Sequence, residues 1–134
     1  MICHETKLRV RYAETDKMGY VYYGIYAQYY EVGRVELLRS LGVSYKSLEK
    51  NGFELPVVSF NISYLKPLFY DDNFILKTCI KSLPSSKIKF NYECYNEQKV
   101  LLNKGEVILV FVNSISKKPC KPPKEIIDKL KNFL

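Results

Sequence analysis

One segment of this chain has the periodicity of a helix and is long enough to govern the fold. Between Val21 and Leu41, apolar or small residues recur at steps of three and four: Tyr26, Tyr30, Gly33, Leu37 and Leu41. This spacing predicts a long helix with a single apolar stripe, which must be buried against another element. Gly33 lies in the stripe, where its missing side chain lets the helix backbone approach that element closely.

Strand-like alternation precedes this helix and returns after it. Thr6–Tyr12 places Leu8, Val10 and Tyr12 on one face, which we expect to be buried, and basic residues on the other. Four further segments have strand patterns, at 58–64, 74–83, 88–94 and 100–112. Short helices are expected over Ser44–Lys50 and Lys124–Leu134, the second after Pro123. Because successive strands with short connections pair antiparallel, we expect one α+β domain over residues 1–134, with the long helix covering a five-stranded sheet.

Composition and charge limit the class of protein. With 134 residues and 47% hydrophobic residues, the chain can bury a core without disulfides or a structural metal. No apolar run approaches the roughly 18 residues of a membrane span, and no secretion signal is found, so we expect a cytoplasmic protein without membrane insertion. The four cysteines form no CxxC pair and are expected to be reduced thiols.

The net charge of +7 predicts attraction to polyanions such as nucleic acid, anionic lipid or coenzyme A. No helix-turn-helix, RNP-like strand or dense basic run is found, so a nucleic-acid partner is not expected. The chain has one histidine, His4, and no GxGxxG, P-loop, GxSxG or HExxH motif. We therefore expect neither a metal nor a cofactor.

Carboxylates on a turn lead directly into the long helix. Asp16 lies in this turn, and a helix start offers unpaired amides that can hold an oxyanion. A carboxylate beside those amides could activate water or attack a carbonyl. Other interpretations stay open: Asp16 could only shape the turn, Glu14 could be solvated or ion-paired, and the many tyrosines could only pack.

The same segment carries a family resemblance. It comprises Arg11-Tyr12-Ala13-Glu14-Thr15-Asp16, Gly19, Tyr22-Tyr23, Tyr26 and Tyr30-Glu31-Val32-Gly33-Arg34. This block resembles the opening signature of the hotdog-fold 4-hydroxybenzoyl-CoA thioesterase family, including its Tol-Pal-associated acyl-CoA thioesterase branch. The likeness extends to the order of elements, to Tyr64-Leu65-Lys66-Pro67 and to the basic, proline-rich tail.

The resemblance implies a hotdog fold, in which a five-stranded antiparallel sheet wraps around the long helix. It implies that Asp16 is the catalytic carboxylate, as general base or nucleophile, and that the amide of Tyr23 polarises the thioester carbonyl. Many members of the Tol-Pal branch have His where this chain has Tyr23, whereas the hydroxybenzoyl branch can have Tyr there. The substrate-binding residues are expected at the aromatic helix start: Gly19, Tyr22, Gly24 and Tyr26.

The function expected from sequence is therefore hydrolysis of acyl-CoA to a free acid and coenzyme A. The alternatives are an acyl-carrier-protein thioesterase, a non-catalytic hotdog module that binds acyl-CoA, and a basic nucleic-acid binder. One helix can cover only one face of the sheet, and Val107–Val112 is apolar on both faces. Together with the resemblance, this predicts a homodimer or homotetramer whose sites are shared between chains.

Overall fold

The computed structural model describes all residues, 1–134. Three helices and seven strands follow one another along the chain. In chain order they are β1 (Ile2–Arg9), α1 (Tyr26–Ser40), α2 (Tyr45–Lys50), β2 (Phe53–Glu54), β3 (Val57–Tyr64), β4 (Asn73–Ile80), β5 (Lys87–Asn96), β6 (Leu101–Val110), β7 (Val112–Asn113) and α3 (Lys124–Leu130). None of the helices is long and apolar enough to cross a membrane.

Five strands form one antiparallel sheet in the order β1-β4-β5-β6-β3. β1 and β3 are its edges, and β6 is internal, as its apolar pattern predicts. The expected five-stranded antiparallel sheet is confirmed. A second, two-stranded ribbon of β2 and β7 was not expected, because two-residue strands leave no alternation to detect.

α1 packs on one face of the sheet, mainly against β1 and β4. Its buried residues include four of the five predicted stripe positions, and Tyr29, Arg34 and Leu38 are buried as well. An added Cβ at Gly33 would collide with the hydroxyl of Thr78 and the side chain of Leu76 on β4. The helix can therefore lie this close to the sheet only because position 33 has no side chain. A sheet wrapped around one long helix, followed by a short C-terminal helix, is the expected hotdog fold.

Several predicted bounds are wrong. β1 begins at Ile2 rather than Thr6 and ends at Arg9, because the chain turns into a 3-10 helix over Tyr12–Glu14. Tyr12 is therefore exposed instead of buried. α1 begins at Tyr26 rather than Val21, after a 3-10 turn over Tyr23–Ile25.

The expectation of four reduced thiols is also wrong. Cys3 on β1 and Cys79 on β4 form a disulfide. The two residues are 76 positions apart in sequence, but they are direct partners across the antiparallel strand pair. Their spacing therefore gave no sign of the bond, and the register of the sheet creates it. Cys94 and Cys120 are free thiols.

Candidate active site

Asp16 lies on a tight, internally bonded turn. Thr15 and Val21 pair as an antiparallel bridge, and the Asp16 amide donates to the carbonyl of Tyr20 at 2.9 Å. The Met18 amide donates to Asp16 Oδ1 at 2.9 Å. Gly19 has φ +88°, which the turn requires and which glycine adopts without strain. The turn therefore uses one carboxylate oxygen of Asp16, and Oδ2 has no partner in the protein.

The helix that follows begins without a side-chain cap. Tyr22 precedes the 3-10 turn, its amide donates to the Glu14 carbonyl at 2.9 Å, and its side chain accepts no capping hydrogen bond. The Tyr23 and Gly24 amides open the helix and have no carbonyl one turn earlier to bond. A helix start of this kind presents N–H groups and a positive dipole end.

Asp16 and this helix start border one cavity of about 310 Å³. Its lining comes from the turn, from the start of the helix and from the chain just after β3. Seven of the ten lining residues are hydrophobic, and the full set is Asp16, Met18, Tyr20, Val21, Tyr23, Tyr26, Tyr64, Leu65, Lys66 and Pro67. The cavity can hold an apolar group next to a carboxylate and the unpaired helix amides.

A larger hollow, of about 600 Å³, lies on the outer face of the sheet. Only three of its twelve lining residues are hydrophobic, and Lys77, Lys104, Glu93 and Glu106 are among the rest. Carboxylates and ammonium groups alternate across this face, so it suits a solvated surface better than an acyl group.

Tyr64 closes the cavity against the helix start. Its hydroxyl donates to the Tyr23 carbonyl at 3.2 Å, and its ring lies 5.4 Å from that of Tyr26 in an edge-to-face arrangement. Burial raises the pKa of both Tyr26 and Tyr64. Both phenols therefore stay protonated at neutral pH and act as neutral walls. The charged side chains of the lining are then those of Asp16 and Lys66.

The structure brings together three of the six predicted site residues, Asp16, Tyr23 and Tyr26. Gly19 shapes the turn, and Tyr22 packs its ring 4.7 Å from that of Tyr23 on the outside. Gly24 lies under the Tyr22 ring, where an added Cβ would come within 2.9 Å of it. None of these last three lines the cavity, and their role in substrate binding stays a prediction.

The part of the cavity lining that comes from residues 64–67 was not predicted from the sequence. Tyr64-Leu65-Lys66-Pro67 is part of the family resemblance, but no position in it carried a site prediction. Its contact with the helix start joins residues about forty positions apart, which no local pattern encodes. The aromatic Tyr64 at the end of a strand, followed by Lys and Pro, is the only signal that could have drawn attention to it.

Glu14, two residues before Asp16, is buried rather than solvated. Its carboxylate accepts from the Arg11 amide at 2.8 Å, from Arg11 Nε at 3.2 Å and from the Tyr29 hydroxyl at 2.8 Å. Burial alone would raise the pKa of Glu14, but these hydrogen bonds and the Arg11 charge outweigh it and lower the pKa below its ordinary value of 4.5. Glu14 is therefore an anion with satisfied oxygens. The ion-paired interpretation is the one that holds.

Fold and site together define a class of protein: a hotdog domain with a carboxylate and a helix start at an apolar, aromatic cavity. The model of the thioesterase-like superfamily matches residues 10–130. The chain belongs to the thioesterase-like superfamily.

Individual relatives agree with this assignment. The chain is 41% identical over 113 residues to the putative acyl-CoA thioesterase YneP of Bacillus subtilis, covering 84% of this chain and 82% of that protein. It is 32% identical over 124 residues to the acyl-CoA thioester hydrolase YbgC of Escherichia coli, covering 92% of each. The structure of a DHNA-CoA thioesterase from Staphylococcus aureus superposes with a TM-score of 0.87 and 34% identity, covering 100% of this chain and 85% of that one.

Proposed function

We propose that this protein is an acyl-CoA thioesterase, which hydrolyses a thioester to a free acid and coenzyme A. The observation that carries the proposal is the shared cavity, in which Asp16 and the start of the long helix border an apolar, aromatic space. The acyl-CoA thioesterase activity for which the relatives YneP and YbgC are named supports the same chemistry. No step of this hydrolysis needs a metal or a redox cofactor.

The helix start would stabilise the charge that develops during the reaction. When the thioester carbonyl is attacked, its oxygen becomes an oxyanion, to which the Tyr23 amide would donate a hydrogen bond. The Tyr64 hydroxyl is already engaged with the Tyr23 carbonyl at 3.2 Å, so it would steady the following Tyr23–Gly24 peptide rather than bind the oxyanion. Tyr23 and Tyr64 are 65% and 48% exposed in the single chain, so a bound acyl group would cover them, displace water and strengthen the interaction.

Asp16 would drive the attack on the thioester carbonyl carbon, either through a water molecule or directly. As a general base, its free Oδ2 takes a proton from water while the water oxygen bonds to the carbonyl carbon. The tetrahedral intermediate then collapses, the C–S bond breaks, and coenzyme A leaves as a thiolate that takes up a proton. As a nucleophile, Oδ2 would itself bond to the carbonyl carbon, the C–S bond would break and release coenzyme A as a thiolate that takes up a proton, and water would then hydrolyse the mixed anhydride to the free acid and the Asp16 carboxylate.

The acyl group is proposed to be apolar and of modest size. Tyr20, Tyr23, Tyr26 and Tyr64 give the cavity flat aromatic walls, which suit an aryl as well as an alkyl group. Among the similar structures, a DHNA-CoA thioesterase and a 1,4-dihydroxy-2-naphthoyl-CoA thioesterase support the aryl alternative. Membership in the 4-hydroxybenzoyl-CoA thioesterase family, or in its Tol-Pal branch, stays a narrower prediction.

A homodimer is proposed because the β3 edge of the sheet is open. β3 has only β6 as a neighbour, and its apolar residues Val57, Val58 and Phe60 are 47%, 53% and 40% exposed. α1 lies mainly over β1 and β4 and reaches β3 only through its tyrosines, with Tyr26 against Tyr64 and Tyr30 against Phe60. Two β3 strands paired across a two-fold axis would bury these side chains and satisfy the unpaired backbone. Assembly of two dimers into a tetramer is the further possibility.

The surface charge supports a coenzyme A substrate. Coenzyme A carries several phosphate charges on a long arm, and a chain of net charge +7 attracts them. Lys66 is the one basic residue in the lining of the cavity. The cytoplasmic location expected from the sequence belongs to the same proposal.

The proposal is tested by following release of the coenzyme A thiol with a thiol reagent. The purified chain is given alkyl-CoAs of increasing length, aryl-CoAs and an acyl-carrier protein loaded with the best acyl group. We expect hydrolysis of at least one CoA series. Tight binding of acyl-CoA without turnover would favour the non-catalytic module, and a strong preference for the carrier protein would favour that alternative.

A further inference from the structure

We propose that Glu14 is a positioning residue, which holds the Asp16 turn in a fixed place relative to the start of α1. The inference rests on the proposed function, since it assigns Glu14 a task in the same reaction. Glu14 does not line the cavity and acts only through the residues on either side of it. Its side chain and its main chain both tie the turn to the helix.

The side chain makes the first tie. Glu14 is 6% exposed, and its Oε1 accepts hydrogen bonds from the Arg11 amide and the Tyr29 hydroxyl, both at 2.8 Å. Tyr29 is one turn into α1, and its ring packs 4.8 Å from that of Phe74 on the sheet. Bonds to a charged acceptor are shorter and stronger than neutral ones, so the carboxylate is held firmly against the helix.

The main chain makes the second tie. The Glu14 carbonyl accepts the Tyr22 amide at 2.9 Å. Tyr22 immediately precedes Tyr23, whose amide is the proposed oxyanion donor, and Asp16 follows Glu14 by two residues. One residue therefore fixes the carboxylate and the amide relative to each other. Displacement of Glu14 would move both partners of the reaction.

The hydrogen bond between Tyr29 and Glu14 offers a test with a matched control. Tyr29 and Tyr30 are neighbours on α1, both rings are buried, and both hydroxyls donate one buried hydrogen bond. Tyr29 donates to Glu14 at 2.8 Å, and Tyr30 donates to Asn103 Oδ1 at 2.7 Å. Neither ring lines the cavity. Tyr29→Phe and Tyr30→Phe each remove one buried hydrogen bond; we expect a somewhat larger loss of stability for Tyr29→Phe, whose acceptor is charged, and an effect on catalysis for Tyr29→Phe alone.

We expect Tyr29→Phe to lower kcat about tenfold with KM within about twofold of the parent, because a small displacement of reacting groups is costly. Tyr30→Phe should leave kcat within about twofold of the parent. Glu14→Gln should lower kcat at least as much as Tyr29→Phe, and adding Tyr29→Phe to it should cause little further loss. Denaturant unfolding checks that each variant is folded.

Equal kcat values for Tyr29→Phe and Tyr30→Phe would overturn the proposal, and so would full additivity of Glu14→Gln and Tyr29→Phe. Asp16→Asn, measured beside them, separates this failure from failure of the proposed function. If Asp16→Asn is inactive while Tyr29→Phe matches its control, the reaction stands and the positioning role falls. If Asp16→Asn is fully active, the site itself is wrong and the positioning role falls with it.

Discussion

Glu14 and Asp16 are two residues apart, yet their carboxylates have different surroundings. Both oxygens of Glu14 accept hydrogen bonds, whereas Asp16, which lines the cavity, uses Oδ1 for the turn and leaves Oδ2 without a hydrogen bond. The difference arises because Glu14 ends the 3-10 helix and bonds to Tyr29 of α1, whereas Asp16 begins the turn that reverses the chain before Tyr20. The hydrogen-bonded carboxylate serves as an anchor, and the free one is available to react.

The lowered pKa of Glu14 has a consequence for stability that can be measured. A carboxylate with a folded-state pKa below its ordinary 4.5 stabilises the fold fully above that value, and the contribution is lost as pH falls through the folded-state pKa. We expect the parent to exceed Glu14→Gln in unfolding free energy by about 2 kcal/mol at pH 7. The difference should shrink steadily below about pH 4.5. Urea titrations across this range measure it, and a difference that is constant down to acid pH would contradict the ionic role.

At the scale of the elements, α1 depends on its close approach to β4. The helix contributes an apolar stripe, but Gly33 decides how near its backbone lies to Thr78 and Leu76. In an exposed helix, replacing Gly by Ala stabilises by about 1 kcal/mol. At position 33 we expect the opposite sign, with Gly33→Ala destabilising by about 2 kcal/mol because the methyl group overpacks the contact. Denaturant unfolding measures the difference in unfolding free energy, and a Gly33→Ala variant more stable than the parent would refute the close approach of α1 to β4.

The same elements separate what the sequence encodes locally from what it does not. The stripe on α1 and the alternation of β5 are properties of neighbouring residues, and both were predicted. The true start of α1 was missed, because Val21 fits the helical period but is paired with Thr15 across the turn. The contact between Tyr64 and the helix start was also missed, because it joins residues about forty positions apart.

The site shows the same division. Asp16 and Tyr23 were expected from the turn, the helix start and the family resemblance, and the structure places both at one cavity. The buried state of Glu14 was not foreseen, because it depends on Tyr29, fifteen residues later and one turn inside the helix. Residues brought together by the sheet, the Cys3–Cys79 disulfide among them, are visible only once the register is known.

At the scale of the whole molecule, the open β3 edge bears on how many chains make the working enzyme. We expect the parent to sediment as a dimer at micromolar concentration. Val58→Lys places a charge on the exposed edge strand and should shift the protein towards monomer with loss of activity. Leu83→Lys is the matched control, since Leu83 is a comparably exposed apolar residue outside the five-stranded sheet. A fully active parent monomer would refute the dimer as the working unit.

The proposed hydrolysis depends on Asp16 acting on a thioester at the helix start. The most direct test of this role is kcat for acyl-CoA hydrolysis by Asp16→Asn. Asp72→Asn is the control, because Asp72 also accepts one turn amide, that of Phe69 at 2.9 Å, and does not line the cavity. We expect Asp16→Asn to stay folded and to lose a factor of about 10² or more in kcat, while Asp72→Asn keeps most of its activity. A near-normal kcat for Asp16→Asn would contradict a role of Asp16 in the hydrolysis.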